Sequence, residues 1–162
     1  MEYKQWISSD RCNLKTVKEA RVEFIEGLSN DLYNLTCHHF IAKCQAQNFS
    51  QAKDTMKDNE AIIQLDFSEN YTFILQDAVQ ASYFSSQQAT VHPYVIYHKI
   101  KGDLFSKSFC IISNHLTHDA KAVAIFNEQI ISIIKDEMPH ITQLHYWSDG
   151  SAAQYKNRYA MN

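Results

Sequence analysis

Between Asn13 and Lys57, apolar residues recur at three- and four-residue spacing. Leu14, Val17, Phe24, Ile25 and Leu28 form the first set, and Gly27 with Ser29-Asn30 punctuates its end. A second helix is predicted from Asn30 or Asp31, with Leu32, Leu35, Phe40 and Cys44 on or near one stripe. It fades into the polar tail QNFSQAKDTMKDNE. Residues 1–58 therefore read as an N-terminal helical hairpin, set apart from residues 59–162.

After Asn59 the texture changes. Ala61-Ile62-Ile63-Gln64-Leu65-Asp66-Phe67 is a short β-branched run, as expected of a strand buried on both faces. The segment ENYTFILQDAVQASYFSSQQ matches neither period and stays unassigned. Thr90 to His98 reads as a second strand, with Pro93 suggesting an edge or bulge at its start. A turn at Lys101-Gly102-Asp103 leads into a third strand, Ser108 to Ser113, containing Cys110 as a buried residue. A helix is predicted next, from about 119 to 137. It is capped by Thr117 or Asp119, carries Ala122, Ile125, Phe126, Ile130, Ile133 and Ile134 on its apolar face, and is stopped by Pro139. Leu144-His145-Tyr146-Trp147 is a fourth strand that ends at Ser148-Asp149-Gly150.

The order strand, strand, strand, helix, strand predicts an α/β fold with a mixed sheet. A short turn makes strands two and three antiparallel, and the helix is long enough to return strand four parallel to strand one. Neighbouring strands lie about 4.8 Å apart, so Asp66 and Asp149 would become close neighbours if strand four lies beside strand one. Two carboxylates held together repel each other unless a cation sits between them, and hard oxygen ligands suit Mg²⁺ or Mn²⁺. Ser148-Asp149-Gly150 is equally a good turn without any metal.

Composition narrows the chemistry by subtraction. The 162 residues contain three glycines, Gly27, Gly102 and Gly150, where average usage gives roughly eleven. Their spacing excludes G-x-G-x-x-G, the Walker A loop and the G-x-S-x-G elbow, each of which needs close glycines. A formal charge of −3 provides no global basic field for nucleic acid or an anionic membrane. No apolar run is long enough to span a bilayer, and the first residues, MEYKQWISSD, lack the apolar core of a secretory signal. The four cysteines form no C-x-x-C pair and read as free thiols of an intracellular protein.

Two local strings carry more specific information. LDFSENYTFILQDAVQASYFSSQQATVHPYVIYH and YWSDGSAAQYKNR resemble transposon-derived proteins of invertebrate genomes, which carry a DFAENY-like motif, a Q-A-T-x-H-P segment and an SDGAAAQYKN-like motif. Through them the chain resembles the ribonuclease H-like superfamily, including DDE-type transposases and integrases. The likeness covers roughly residues 35–162, from Cys37-His38-His39-Phe40 onward. It implies a ribonuclease H-like sheet and two acidic metal ligands, Asp66 and Asp149, holding Mg²⁺ or Mn²⁺. It also implies DNA as the partner, no membrane, a nuclear location and an open question of homo-oligomerisation. The family pattern has a third carboxylate beyond the second motif, yet no Asp or Glu follows Asp149. The expectation is thus a C-terminally truncated or decayed copy that is inactive as it stands; the alternative is a non-enzymatic binding remnant.

Other residues have blander readings beside them. Tyr155, Lys156 and Arg158 could touch a phosphate backbone, or could form a solvated helix start. Glu69 could be an outer ligand or a turn residue, and His92 a hydrogen-bonding group near the site. His115 and His118 suit polar roles where the long helix begins, and Tyr71, Tyr83 and Phe84 suit packing. Cys37, His38, His39 and Cys44 lack the second cluster that a zinc finger needs.

Overall fold

A computed structural model describes residues 1–8, 12–73 and 87–156. The chain divides into two compact units, Met1–Gln51 and Ala52–Asn162. The first departs from the helical-hairpin expectation. Its N-terminus is a β-hairpin of β1 (Glu2–Ser8) and β2 (Cys12–Lys18), paired antiparallel from Glu2↔Lys18 to Ser8↔Cys12. Leu14 and Val17, whose spacing suggested a helix, sit in β2 opposite Trp6 and Tyr3. Seven cross-strand pairs outweigh one three-residue spacing.

After the hairpin the chain forms one helix, α1 (Arg21–Thr55), and not two. Glu23 starts it, its carboxylate accepting from the Ala20 backbone N–H at 3.2 Å in the manner of a capping box. Gly27 does not end it: a mid-helix glycine costs only about 1 kcal/mol relative to alanine, and no proline interrupts the run.

The second unit has the expected order. The run of Ala61, Ile62, Ile63 and Leu65 makes β3 (Glu60–Leu65), which pairs antiparallel with the long β5 (Gln88–Ile100). A two-residue strand, β4 (Tyr71–Thr72), pairs with the start of β5. Pro93 is therefore interior to β5 and not at its start; β3 begins to pair one residue later, at Tyr94. Lys101 (φ 54°) and Gly102 (φ 87°) form the two-residue hairpin turn into β6 (Asp103–Ser113). Cys110 on that strand is exposed, contrary to expectation, because it lies on the face away from the core. Tyr71 is likewise 56% exposed.

Asp119 caps α2 (Ala120–Glu137), its Oδ1 accepting from the Ala122 backbone N–H at 2.8 Å. The helix lays Ala122, Phe126, Ile130 and Ile134 against Ala61, Ile63, Leu65, Tyr94 and Ile96. Ile125 faces out. Beyond α2, β7 (Gln143–Trp147) runs parallel to β3, from Glu60↔Gln143 to Gln64↔Trp147. The result is a mixed sheet in the order β6-β5-β3-β7, with α2 as the crossover.

Candidate functional site

The register between β3 and β7 sets up the site. Asn59 Nδ2 donates to Thr142 Oγ1 at 2.9 Å, a pair 83 positions apart, and every residue pair in the parallel ladder keeps that offset. Carried two residues past Gln64 and Trp147, the same offset sets Asp66 against Asp149. Both carboxylates line one open cleft of about 470 Å³, together with Ser68, Glu69, Asn70, His118, Ser151 and Gln154. Each lies just past the carboxyl end of its strand, where the chain leaves the ladder and side chains turn toward solvent. Partial desolvation, followed by the charge of Asp149, holds the Asp66 carboxyl above its ordinary pKa.

Local hydrogen bonds fix the loops. Asp149 Oδ1 accepts from the Ser151 N–H at 2.9 Å, and Ser148 Oγ accepts from the Gly150 N–H at 3.2 Å. Gly150 has a φ of 74°, the left-handed backbone that favours glycine, and a Cβ there would meet only the movable end of Lys156, at 3.0 Å from its Cε. On the other side, Ser68 donates from its backbone N–H and its hydroxyl to the Val91 carbonyl, each at 3.0 Å.

Beneath the carboxylates lies a network that spacing could not show. Asn70 Oδ1 accepts from His118 Nε2 at 2.8 Å, while Asn70 Nδ2 donates to the Leu116 carbonyl at 3.2 Å. The buried Thr90 hydroxyl lies 2.9 Å from Asn70 Oδ1 and 2.7 Å from the His115 carbonyl, and donates its single proton to one at a time. His118 stacks on Phe67 with ring centroids 4.3 Å apart, and His92 meets Phe67 edge-on at 4.1 Å. These contacts hold Phe67, the residue after Asp66, between two imidazoles. The polar role expected of His118 is thus filled by Asn70.

His92 is fully buried and pairs through Nε2 with the Tyr155 hydroxyl at 3.3 Å. Its Nδ1 has no hydrogen-bond partner among the described residues. Burial, then the neighbouring His118, push its pKa from 6.5 down to about 4, so the ring is neutral at pH 7. Tyr155 is half-buried: it packs against the core and pairs its hydroxyl with His92. Burial, then the charges of Asp66 and Asp149, raise its phenol pKa. Lys156 is exposed beside Gly150, and Arg158 lies outside the described residues, as do Tyr83 and Phe84. Glu69 is exposed on the cleft wall.

Two carboxylates with a polar surround fit a hard divalent cation, which needs one or two protein carboxylates and fills its remaining positions with water. Among the described residues, no group of three or more His, Cys, Asp and Glu side chains is arranged to hold a metal. Among those residues, too, no helix is long and apolar enough to cross a membrane.

Two family models match the chain, and the gap between them falls within α1. Residues 1–36 match a family model for a domain of unknown function (DUF8700), and residues 45–162 match a second, DUF8701, also a domain of unknown function. No curated protein and no solved structure matches the chain. With residues 45–162 matched, most of its length, the chain belongs to the DUF8701 family.

Proposed function

We propose that residues 52–162 are a ribonuclease H-like domain of transposase or integrase type, in which Asp66 and Asp149 hold Mg²⁺ or Mn²⁺ against a DNA phosphodiester. One observation carries this reading: the β3–β7 register brings together two acids 83 positions apart at the carboxyl end of a mixed sheet. The sheet order β6-β5-β3-β7 supports it, as do the motifs DFSENY and SDGSAAQYKN, which supply the two acids. A divalent cation at such a pair supplies charge stabilisation for phosphodiester chemistry. Asn70, His118, Phe67 and His92 are positioning residues that hold the Asp66 loop. In this reading the exposed Lys156, whose side chain passes beside Gly150, serves as a phosphate contact next to the cleft.

Within these 162 residues no acid follows Asp149, so this chain supplies two carboxylates where two-metal chemistry uses more. With Asp66 and Asp149 as the ligands, the proposed role of residues 52–162 is cation and DNA binding. The two-carboxylate set equally favours the second reading, a non-enzymatic remnant that binds nucleic acid or protein. A plasmid-nicking assay with Mn²⁺, run on wild type, Asp66→Asn and Asp149→Asn, separates the cases. The expected result is salt-dependent DNA binding without nicking. Nicking lost in both variants overturns the inactive reading and keeps the site. Nicking indifferent to both removes the site.

A further inference from the structure

Pairing between β3 and β7 ends at Gln64 and Trp147, so the ladder alone does not fix the gap between Asp66 and Asp149. Past the ladder, the Asp149 turn is closed by local bonds. The Ser151 N–H donates to Asp149 Oδ1 at 2.9 Å, and the Tyr155 N–H donates to the Ser151 carbonyl at 2.8 Å. These bonds shape the turn without tying it to the Asp66 side. The Tyr155 side chain makes that link. Its hydroxyl lies 3.3 Å from His92 Nε2, and the same oxygen feels the Phe67 backbone N–H and the charges of Asp66 and Asp149. His92 is 0% exposed and meets Phe67 edge-on at 4.1 Å, so this end of the link is fixed in the core. With His92 neutral, the phenol can give its one proton to Nε2 while it accepts from the Phe67 N–H.

We propose that Tyr155 is a positioning residue: its hydroxyl, anchored on His92, ties the Asp149 turn to the Asp66 strand and so sets the separation of the two carboxylates for a divalent cation. The proposal rests on the cation-site reading above and assigns that site its geometric control. Small hard cations demand oxygen ligands at nearly fixed distances, so an Asp149 turn free to drift must be ordered at the moment of binding. Groups that orient metal ligands from behind are worth about 10–100-fold in metal affinity. Tyr155 acts through the turn and not on a carboxylate oxygen, which sets the expectation at the low end, about tenfold, or about 1.4 kcal/mol. Tyr155→Phe isolates this role, because the ring that packs against the core stays and only the hydroxyl goes.

Calorimetric titration of Mn²⁺ into the full chain tests it, with urea unfolding of each metal-free protein alongside. Tyr155→Phe should bind Mn²⁺ about tenfold more weakly than wild type. Ile96→Val, a core truncation on β5 at 0% exposure, should lower the urea midpoint yet bind Mn²⁺ as wild type does. His92→Phe removes the other half of the bond and should weaken binding by a similar factor. The double variant His92→Phe/Tyr155→Phe should then bind no more weakly than either single one, since both lose the same contact. Wild-type binding that is lost in Asp66→Asn but stays within about twofold in Tyr155→Phe overturns the proposal and leaves the cation site standing. Equal weakening in Ile96→Val, or losses that multiply in the double variant, also overturn it. Absence of Mn²⁺ binding by wild type removes the cation site itself, and the proposal with it.

Discussion

Acid should loosen the second unit through His92, with a size and direction set by its burial. The ring is 0% exposed, packed against Phe67, and neutral because its pKa lies near 4 against 6.5 in an open chain. Below pH 6.5 the unfolded chain takes up a proton that the folded chain refuses. Stability is thus complete above pH 6.5 and falls as pH drops, levelling off near pH 4 where the folded ring also protonates. The full gap corresponds to about 3 kcal/mol, of which the fall from pH 7 to 4.5 samples about 2 kcal/mol. Buried His98, whose pKa is also lowered, adds loss in the same direction; the raised Asp66 carboxyl opposes it. A variant isolates the His92 share. His92→Phe keeps an aromatic ring against Phe67 and removes the titration. Urea unfolding at pH 7, 6, 5 and 4.5 should show wild type losing about 2 kcal/mol more than His92→Phe across that range. Parallel losses in the two proteins would refute the assignment of a buried neutral His92.

The same packing sets three further outcomes. Gly150→Ala and Gly102→Ala should each cost about 1–2 kcal/mol from their left-handed backbone, the flexible end of Lys156 moving aside at Gly150. Comparing urea midpoints of the two variants checks this. Ile63→Ala, at 0% exposure between the sheet and α2, should cost about 2–5 kcal/mol, whereas Ile112→Ala, at 70% exposure, should stay within about 0.5 kcal/mol of wild type. Asn70→Ala removes the partners of His118 and the Leu116 carbonyl and should cost about 1–3 kcal/mol, read by thermal unfolding.

The second unit was legible because its signals are local. The β-branched run at 61–65, the Lys101-Gly102 turn and the Asp119 cap each dictate an element within a few residues, and the crossover length of α2 then fixes the β3–β7 pairing. From that pairing the meeting of Asp66 and Asp149 is a matter of arithmetic. The supporting network was not legible. Asn70, Thr90 and His118 come from three segments, and nothing in their spacing marks them as partners. Tyr155 looked like surface because its neighbours are Gln154 and Lys156, yet its ring turns inward to meet His92 from 63 positions away. In the first unit the helical period of Leu14 and Val17 competed with pairing to β1. Pairing won through contacts outside any local window; Trp6 opposite Leu14 is one such contact.

A cation site formed by Asp66 and Asp149 is the central claim about this protein. The most direct test is a calorimetric titration of Mn²⁺ into wild type, Asp66→Asn and Asp149→Asn, with thermal unfolding of each in the presence and absence of the ion. Wild type should bind Mn²⁺ and unfold at a higher temperature with it, and both variants should lose the binding. Without metal, Asp66→Asn should be at least as stable as wild type, because it relieves the desolvation and the Asp149 repulsion that raise the Asp66 carboxyl. Mn²⁺ binding that persists unchanged in both variants, or no binding by wild type, would contradict the assignment of that site.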